Sequence, residues 1–88
     1  MRHIQTTPRF DHKLKAFVES HPDLRARLLI LIGSLAENPF VAKHKTHRLS
    51  GKLKGLWGAS ITFHYRIAFI LTDEVIIFVN LGSHDEVY

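Results

Sequence analysis

The sequence predicts an α+β fold in which a short N-terminal strand and a helical hairpin precede a three-stranded, mostly antiparallel meander. Two observations support this prediction. Apolar residues recur at helical spacing in the first half of the sequence, and from Leu49 onward they recur at every second position, which is the period of a strand. A chain of 88 residues with 45% hydrophobic content is large enough for one packed domain, which we expect to span residues 1–88.

The first elements are a strand and a helix. Residues 2–6 predict a short edge strand, with Ile4 flanked by polar residues. Thr7-Pro8 is typical of a helix start, because threonine caps free backbone N–H groups and proline suits the first helical position. A helix from about 8 to 20 is predicted by an apolar stripe. The stripe consists of Phe10, Leu14, Phe17 and Val18.

A second helix is predicted after a short break. His21 precedes a proline and is therefore pushed out of helical geometry. Pro22 is expected to open the second helix, which should run to about Glu37 and end at Asn38-Pro39. So short a break predicts an antiparallel helical hairpin, followed by a loop over 38–47. The buried stripe of the second helix is expected to be Leu24, Leu28, Leu31, Ile32 and Leu35.

Three strands are predicted in the second half. The alternating run from about 53 to 71 is too long for one strand, so we expect a turn near 62–64. Thr72-Asp73-Glu74 predicts a second turn. The apolar run Val75 to Leu81 predicts a strand at the centre of the sheet, covered on both faces and followed by a short tail. The alternation assigns Ile61, Phe63, Tyr65, Ile67, Phe69 and Leu71 to one face.

Positive charge is concentrated in one part of the sequence. The net charge is +4, and no acidic residue lies between Glu37 and Asp73, although that interval holds half of the lysines and arginines. A block of one sign attracts phosphates, whereas the alternative is an ordinary solvated surface. Aromatic residues within the block favour nucleic acid. The predicted RNA contacts are Lys43, Lys45, Arg48, Lys52, Lys54, Trp57 and Tyr65.

Other classes of protein are disfavoured. The absence of cysteine excludes disulfides, thiolate metal sites and cysteine nucleophiles. The first residues lack the apolar core of a signal peptide, and the apolar run Leu28 to Ile32 is too short to span a membrane. We therefore expect a cytoplasmic protein with no membrane partner. His44-x-x-His47 resembles a metal-ligand pair, but no Asp, Glu or Cys supports it nearby, so no metal or other cofactor is expected.

Several residues are candidates for acid–base chemistry. His47, His64 and His84 lie in separate segments, and a histidine with a pKa near ~6.5 can accept or donate a proton at neutral pH. Arg66 could hold a phosphate through two hydrogen bonds, and Tyr88 adds a phenol. These groups suit metal-free RNA cleavage: a base activates a ribose 2′-hydroxyl, a cation stabilises the anionic transition state, and an acid protonates the leaving 5′-oxygen.

A purely structural interpretation of the same residues stays open at this point. The histidines would then be surface or packing residues, and Arg66 would pair with Asp85 or Glu86. Tyr88 would cover the core, and Trp57 would be buried rather than stacked on a base.

Three segments of the second half resemble the RelE/ParE superfamily of type II toxins, and within it most closely the YafQ-like mRNA interferases. They are His47-Arg48-Leu49-x-Gly51-x-Leu53-Lys54-Gly55, Tyr65-Arg66-Ile67 and Gly82-Ser83-His84-Asp85-Glu86-Val87-Tyr88. The motifs cover residues 47–88, and the layout of the elements covers nearly the whole chain. The resemblance implies a small toxin, held inactive by a cognate antitoxin, that cleaves mRNA on the ribosome when free. We expect the free toxin to be monomeric and the antitoxin to cover the basic face in a larger complex.

The resemblance also implies roles for single residues. His47 and His84 fall on histidines of the YafQ-like site, with His84 as the general acid or base. Tyr88 falls on the terminal aromatic residue, and Arg66 falls on the arginine with which RelE-type members contact the phosphate. His64 is a possible second proton carrier.

The sequence departs from the family pattern at several positions. Ser60 stands where YafQ-like toxins carry a further histidine, His64 where they carry an aspartate, and Tyr65 where they carry a tryptophan. Trp57 and Ala59 stand where RelE-type members place two lysines. Two alternatives therefore stay open: a ParE-like toxin that poisons DNA gyrase without nuclease activity, and a catalytically decayed toxin.

Overall fold

The computed structural model describes residues 1–88 and contains five strands and three helices. In chain order they are β1 (His3–Thr6), α1 (Pro8–Ser20), α2 (Arg25–Glu37), β2 (His47–Arg48), β3 (Trp57–Ser60), β4 (Tyr65–Leu71), β5 (Val75–Ser83) and α3 (His84–Val87). One sheet has the order β1-β5-β4-β3-β2, in which β1 runs parallel to β5 and all other neighbours are antiparallel. The predicted α+β fold is confirmed.

The two long helices follow the predicted pattern except at the start of α2. The Thr7 hydroxyl accepts a hydrogen bond from the Phe10 N–H at 3.1 Å, which confirms the predicted cap of α1. Pro22–Leu24 forms a 3-10 turn instead of opening α2, since the Leu24 N–H bonds to the His21 carbonyl at 3.0 Å. The prediction that Pro22 begins the second helix was therefore wrong by one turn. None of the helices is long and apolar enough to cross a membrane.

Both long helices pack on the same face of the sheet. The core cluster has 13 buried residues, drawn from α1, α2, β3, β4, β5 and the bend after β3. The predicted helical stripes supply five of these side chains, and the predicted strand alternation supplies three more, Ile61, Ile67 and Phe69. The members are Phe10, Phe17, Leu28, Leu31, Leu35, Ala36, Ala59, Ile61, Ile67, Phe69, Ile76, Phe78 and Leu81.

The turn predicted near 62–64 lies at residues 61–64, between β3 and β4. Phe63, however, is 83% exposed, although the alternation places it on the same face as Ile61 and Ile67, which are buried. The reason is that strand alternation ends at Ser60 and restarts at Tyr65, so that the bend releases Phe63 to solvent.

The segment before β3 was predicted less well. The expected loop over 38–47 contains a 3-10 turn, Ala42–His44, and ends in the short strand β2, which pairs with Gly58 and Trp57. The alternating run does not begin as a strand at 53, because Gly51–Leu53 forms another 3-10 turn. Two residues of β2 are too few for a periodic signal.

β5 is an internal strand, but the centre of the sheet is β4. Only one face of β5 is fully covered: Ile76 and Phe78 are buried, whereas Val75 and Ile77 are partly buried. The register shift beside Ala68 leaves Val79 unpaired, and this bulge puts Leu81 back on the core face. The prediction that this strand lies at the centre of the sheet was therefore wrong by one strand, and its second face is only partly covered.

Candidate active site

The face of the sheet opposite α1 and α2 carries a second, smaller layer. Strand alternation places Gly58, Arg66 and Ala68 on this face, because Ala59, Ile67 and Phe69 belong to the core cluster. Helix α3 follows directly after β5 and packs against β4 and β5. Ala68 and Val87 are buried without belonging to the core cluster, so α3 provides separate cover for this side of the sheet.

A reciprocal capping box fixes the start of α3. The Ser83 hydroxyl accepts from the Glu86 N–H at 3.3 Å, and a Glu86 carboxylate oxygen accepts from the Ser83 N–H at 3.0 Å. These hydrogen bonds with Ser83 lower the pKa of Glu86. Residues 84–88, predicted as a tail, are therefore an anchored helical turn that places His84 and Tyr88.

Tyr88 contacts two of the histidines that were predicted for the site. Its ring lies 4.8 Å from the His84 ring and 5.6 Å from the His47 ring, centroid to centroid, in edge-on contacts. Tyr88 also packs over Gly58, where a Cβ atom would collide with its hydroxyl. Gly58 therefore belongs to the candidate site although sequence reasoning missed it, and a glycine inside a strand is the available signal for such a close approach.

The Tyr88 hydroxyl is buried and has no hydrogen-bond partner within the protein. Burial raises the pKa of Tyr88, and the nearby charge of Arg66 acts in the opposite direction. At neutral pH the group is therefore a protonated phenol, a hydrogen-bond donor beside two imidazoles.

The tautomer of His47 follows from its hydrogen bond. His47 Nδ1 lies 3.0 Å from the Lys45 carbonyl oxygen, which can only accept, so Nδ1 carries the proton of the neutral ring. Nε2 then keeps its lone pair. Lys45 adopts the left-handed conformation at φ 53°, which is uncommon for a residue other than glycine, and such backbone conformations cluster at functional sites.

His64, Arg66 and His84 line one open cleft of about 460 Å³. His64 lies in the bend and is exposed, and its carbonyl accepts a hydrogen bond from the His84 N–H at 3.2 Å. The bend and α3 are thus joined across the cleft. His84 Nδ1 lies 3.6 Å from an Asp85 carboxylate oxygen, which forms an ion pair with the ring when the ring is protonated.

Arg66 is held by the backbone of the bend. Its Nη1 donates to the Thr62 carbonyl at 2.6 Å and to the Tyr65 carbonyl at 3.1 Å. No carboxylate pairs with it; Glu86 pairs instead with Lys13 at 4.0 Å. The alternative in which Arg66 forms a salt bridge with Asp85 or Glu86 was therefore wrong. The guanidinium keeps donors and a full positive charge for an anion in the cleft.

The predicted RNA contacts fall into separate groups. Arg48, Lys54 and Trp57 line a cleft of about 400 Å³, in which the Arg48 guanidinium lies 5.0 Å from the Trp57 ring centre. Phe40 contacts the same ring edge-on at 5.2 Å, so Trp57 is partly covered on the surface. Lys52 is exposed and lies outside this cleft.

Lys43 and Lys45 lie at another cleft, which Arg27 and Arg66 also line. Tyr65 is different from all these residues. Its hydroxyl lies 2.9 Å from His21 Nε2, and its ring packs edge-on against Phe17 at 5.1 Å. This packing on the helix side argues against base stacking by Tyr65, whose contact with RNA stays a prediction.

His44 does not form a metal pair with His47. It is buried, and its Nε2 lies 2.7 Å from the Ser34 hydroxyl on α2, whereas His47 is exposed and bonds to Lys45. Burial, assisted by the neighbouring Lys43, lowers the pKa of His44. No three His, Asp or Glu side chains of residues 1–88 are grouped so that they could hold a metal ion.

Comparison with known proteins identifies a family. Residues 2–88 match the family described as "Bacterial toxin of type II toxin-antitoxin system, YafQ". A crystal structure of YafQ from E. coli strain BL21(DE3) is 26% identical, with a TM-score of 0.86 over 100% of this chain and 99% of that chain. YafQ in the E. coli DinJ-YafQ toxin-antitoxin complex is also 26% identical, with a TM-score of 0.83 over 99% and 97%.

A metal-bound toxin from Helicobacter pylori is 31% identical, with a TM-score of 0.82 over the full length of both chains. No curated protein matches the sequence at a significant level. The YoeB-like toxins that also match are 17% and 19% identical, and they support the fold alone.

Proposed function

The chain belongs to the YafQ family of toxins of type II toxin-antitoxin systems, and on that premise we propose that it is a metal-independent endoribonuclease that cleaves mRNA on the ribosome in the cytoplasm. The observation that carries the proposal is the arrangement around Tyr88. Two histidines contact this phenol, and an arginine without a carboxylate partner lies close to it.

Proton transfer is assigned to the histidines. His47, with its proton on Nδ1, has a free Nε2 that can accept the proton of a ribose 2′-hydroxyl. His84, exposed at the cleft and facing Asp85, donates a proton to the departing 5′-oxygen. His64 lines the same cleft and is the alternative second proton carrier. The Tyr88 phenol orients both rings or the phosphate oxygen between them.

Arg66 stabilises the transition state. Attack of the 2′-oxygen on the neighbouring phosphate concentrates negative charge on the phosphoryl oxygens, and a fixed cation lowers the barrier most where that charge develops. The two carbonyl hydrogen bonds from Nη1 fix the guanidinium before RNA binds. The cleft is then ready for an anion without rearrangement of Arg66.

The partner that controls the toxin is an antitoxin protein. Structures of E. coli YafQ with DinJ, at 26% identity and similar length, support an equivalent complex for this chain. We expect an acidic or amphipathic antitoxin segment to cover the basic surface formed by the lysines and arginines of residues 38–72, since this part of the sequence contains no acidic residue.

The test is inducible expression in a bacterial host, followed by mapping of mRNA 5′ ends. Wild type and the control His12→Ala, which changes an exposed histidine of α1, should produce new cuts within coding regions. His84→Ala should lower cleavage at least a hundredfold and keep the fold, in line with general acid–base contributions of roughly 10²–10⁴. Undiminished cutting by His84→Ala would contradict the assignment.

The remaining outcomes distinguish the alternatives. Growth arrest with DNA damage and intact mRNA would indicate a gyrase poison. Neither arrest nor cuts would indicate a decayed toxin, and Ser60→His with His64→Asp would then restore the family pattern. Ser60 pairs directly with Arg66 across β3 and β4, so a histidine there would lie beside the arginine.

A further inference from the structure

Phe63 is an exposed aromatic residue whose ring does not contribute to the packing of the hydrophobic core. It lies in the bend between β3 and β4, is 83% exposed, and does not belong to the core cluster. It lines the cleft of His64, Arg66 and His84, and it also lines the neighbouring cleft of about 230 Å³. Phe63 therefore stands on the boundary between two clefts.

The neighbouring cleft, which we term the basic cleft, combines four cations with two hydroxyl groups. Its polar lining residues are Arg27, Lys43, Lys45, Arg66, Ser60 and Thr62. They come from α2, from the segment before β2, from β3 and β4, and from the bend between them. None of the four cations lies within ion-pair distance of a carboxylate. Arg27 was not among the predicted site residues, because on the sequence it is one more charge on the polar face of α2.

We infer that the basic cleft is a second phosphate subsite for single-stranded RNA, and that Phe63 stacks on the base between this subsite and the cleaved phosphate. The inference rests on the proposed function, since it specifies how the RNA of that site is held. Arg66 lines both clefts, so the two phosphate positions are adjacent. Alternation of cationic clefts with an exposed ring matches the alternation of phosphates and bases in a single strand. An acidic protein segment would use the cations but would have no need of the ring.

The experiment measures binding of a short, fully 2′-O-methylated single-stranded RNA to the full-length chain over a range of salt concentrations. The matched pairs are Arg27→Ala with Arg9→Ala, which removes an exposed arginine of α1, and Phe63→Ala with Leu29→Ala, which removes another exposed apolar side chain. Arg27→Ala should weaken binding and reduce the slope of log affinity against log salt by about 0.7, the contribution of one phosphate contact. Phe63→Ala should weaken binding by about 5-fold to 100-fold, and Phe63→Trp should restore it.

The subsite is overturned if the two variants of either pair bind the RNA with equal affinity and equal salt dependence, provided that thermal unfolding shows all four variants folded. An RNA that does not bind to the wild type at all overturns it too. RNA binding without mRNA cleavage in cells would refute the proposed nuclease but keep the subsite. If Arg27→Ala and Phe63→Ala weaken binding of a poly-glutamate peptide and leave RNA affinity unchanged, the cleft accepts an acidic protein segment and the RNA inference is wrong.

Discussion

The two faces of the sheet are covered by different kinds of side chain. The face beneath α1 and α2 is filled by phenylalanine, leucine and isoleucine side chains that repeat with the period of their helix or strand. The opposite face is covered by one short helical turn and carries Gly58, Arg66 and the ring of Tyr88. Burial on the first face stabilises the fold, whereas on the second it holds polar groups beside each other. Substitutions should therefore separate stability from activity according to the face they alter.

The largest expected effect is on the helix face. Phe10→Ala removes a fully buried ring that packs 5.5 Å from the ring of Phe78, and large-to-small changes of this kind cost about 3–5 kcal/mol. For so small a domain this is a major part of the free energy of unfolding. Urea unfolding followed by circular dichroism measures it. Phe63→Ala is the control and should change stability by less than about 0.5 kcal/mol. Equal losses for the two variants would contradict the burial of Phe10.

A smaller effect on stability, with a larger effect on activity, is expected from Gly58→Ala. The new methyl group would collide with the hydroxyl and ring of Tyr88, and overpacking of this kind costs about 1–3 kcal/mol. RNA cleavage should decrease because Tyr88 must leave its position between His84 and His47. Gly33→Ala on α2 meets no atom within 4 Å and should stabilise the protein by about 0.5–1 kcal/mol. A fully active Gly58→Ala variant would show that Tyr88 does not need its place over Gly58.

Tyr88→Phe should shift stability and activity in opposite directions. It removes a buried hydroxyl that lacks a protein partner, so the free energy of unfolding should rise by about 1 kcal/mol, while cleavage should decrease because the donor is lost. The raised pKa of Tyr88 adds a pH dependence. Above pH ~10 the unfolded phenol ionises while the folded one stays neutral, so wild type should lose stability there relative to Tyr88→Phe. Denaturant unfolding at neutral and alkaline pH measures both effects, and lower stability of Tyr88→Phe at neutral pH would indicate that the hydroxyl is satisfied.

The contrast between the faces also explains what could be predicted from the sequence. Periodicity reports burial, and it located both helical stripes and the strands of the core face. It failed where a residue leaves the pattern. Phe63 shares its parity with the core residues Ile61 and Ile67, and no glycine or proline in the bend marks it as an exception. The bulge at Val79 is invisible in an apolar run. β2 is too short to show a period.

The site was accessible to sequence reasoning only through residue chemistry and family resemblance. His47, His84 and Tyr88 are separated along the chain, and their contact depends on the capping box of α3 and on the absence of a side chain at Gly58. No local pattern encodes these relations. Arg27 was missed for the same reason, since only the fold brings α2 beside Lys43 and Arg66.

The smallest expected effect distinguishes the buried histidine from those of the site. Because burial lowers the pKa of His44, the unfolded chain takes up a proton near pH ~6.5 while the folded chain resists it. Stability supported by neutral His44 is therefore present above that pH and is lost as the pH falls, at no more than about 1.4 kcal/mol per pH unit for one group. His44→Gln keeps an acceptor for the Ser34 hydroxyl, and it should remove this part of the pH dependence.

Urea unfolding near pH ~7.5 and pH ~5.5 measures the difference, with His12→Gln on the exposed face of α1 as the control. Between the two pH values the control should lose as much free energy of unfolding as wild type, whereas His44→Gln should lose less. If both variants lose as much stability as wild type, His44 is not the group whose protonation opposes folding. A smaller loss of stability in His44→Gln alone would show that protonation of His44, beside α2, destabilises the protein at low pH. This effect would be independent of the histidines that contact Tyr88.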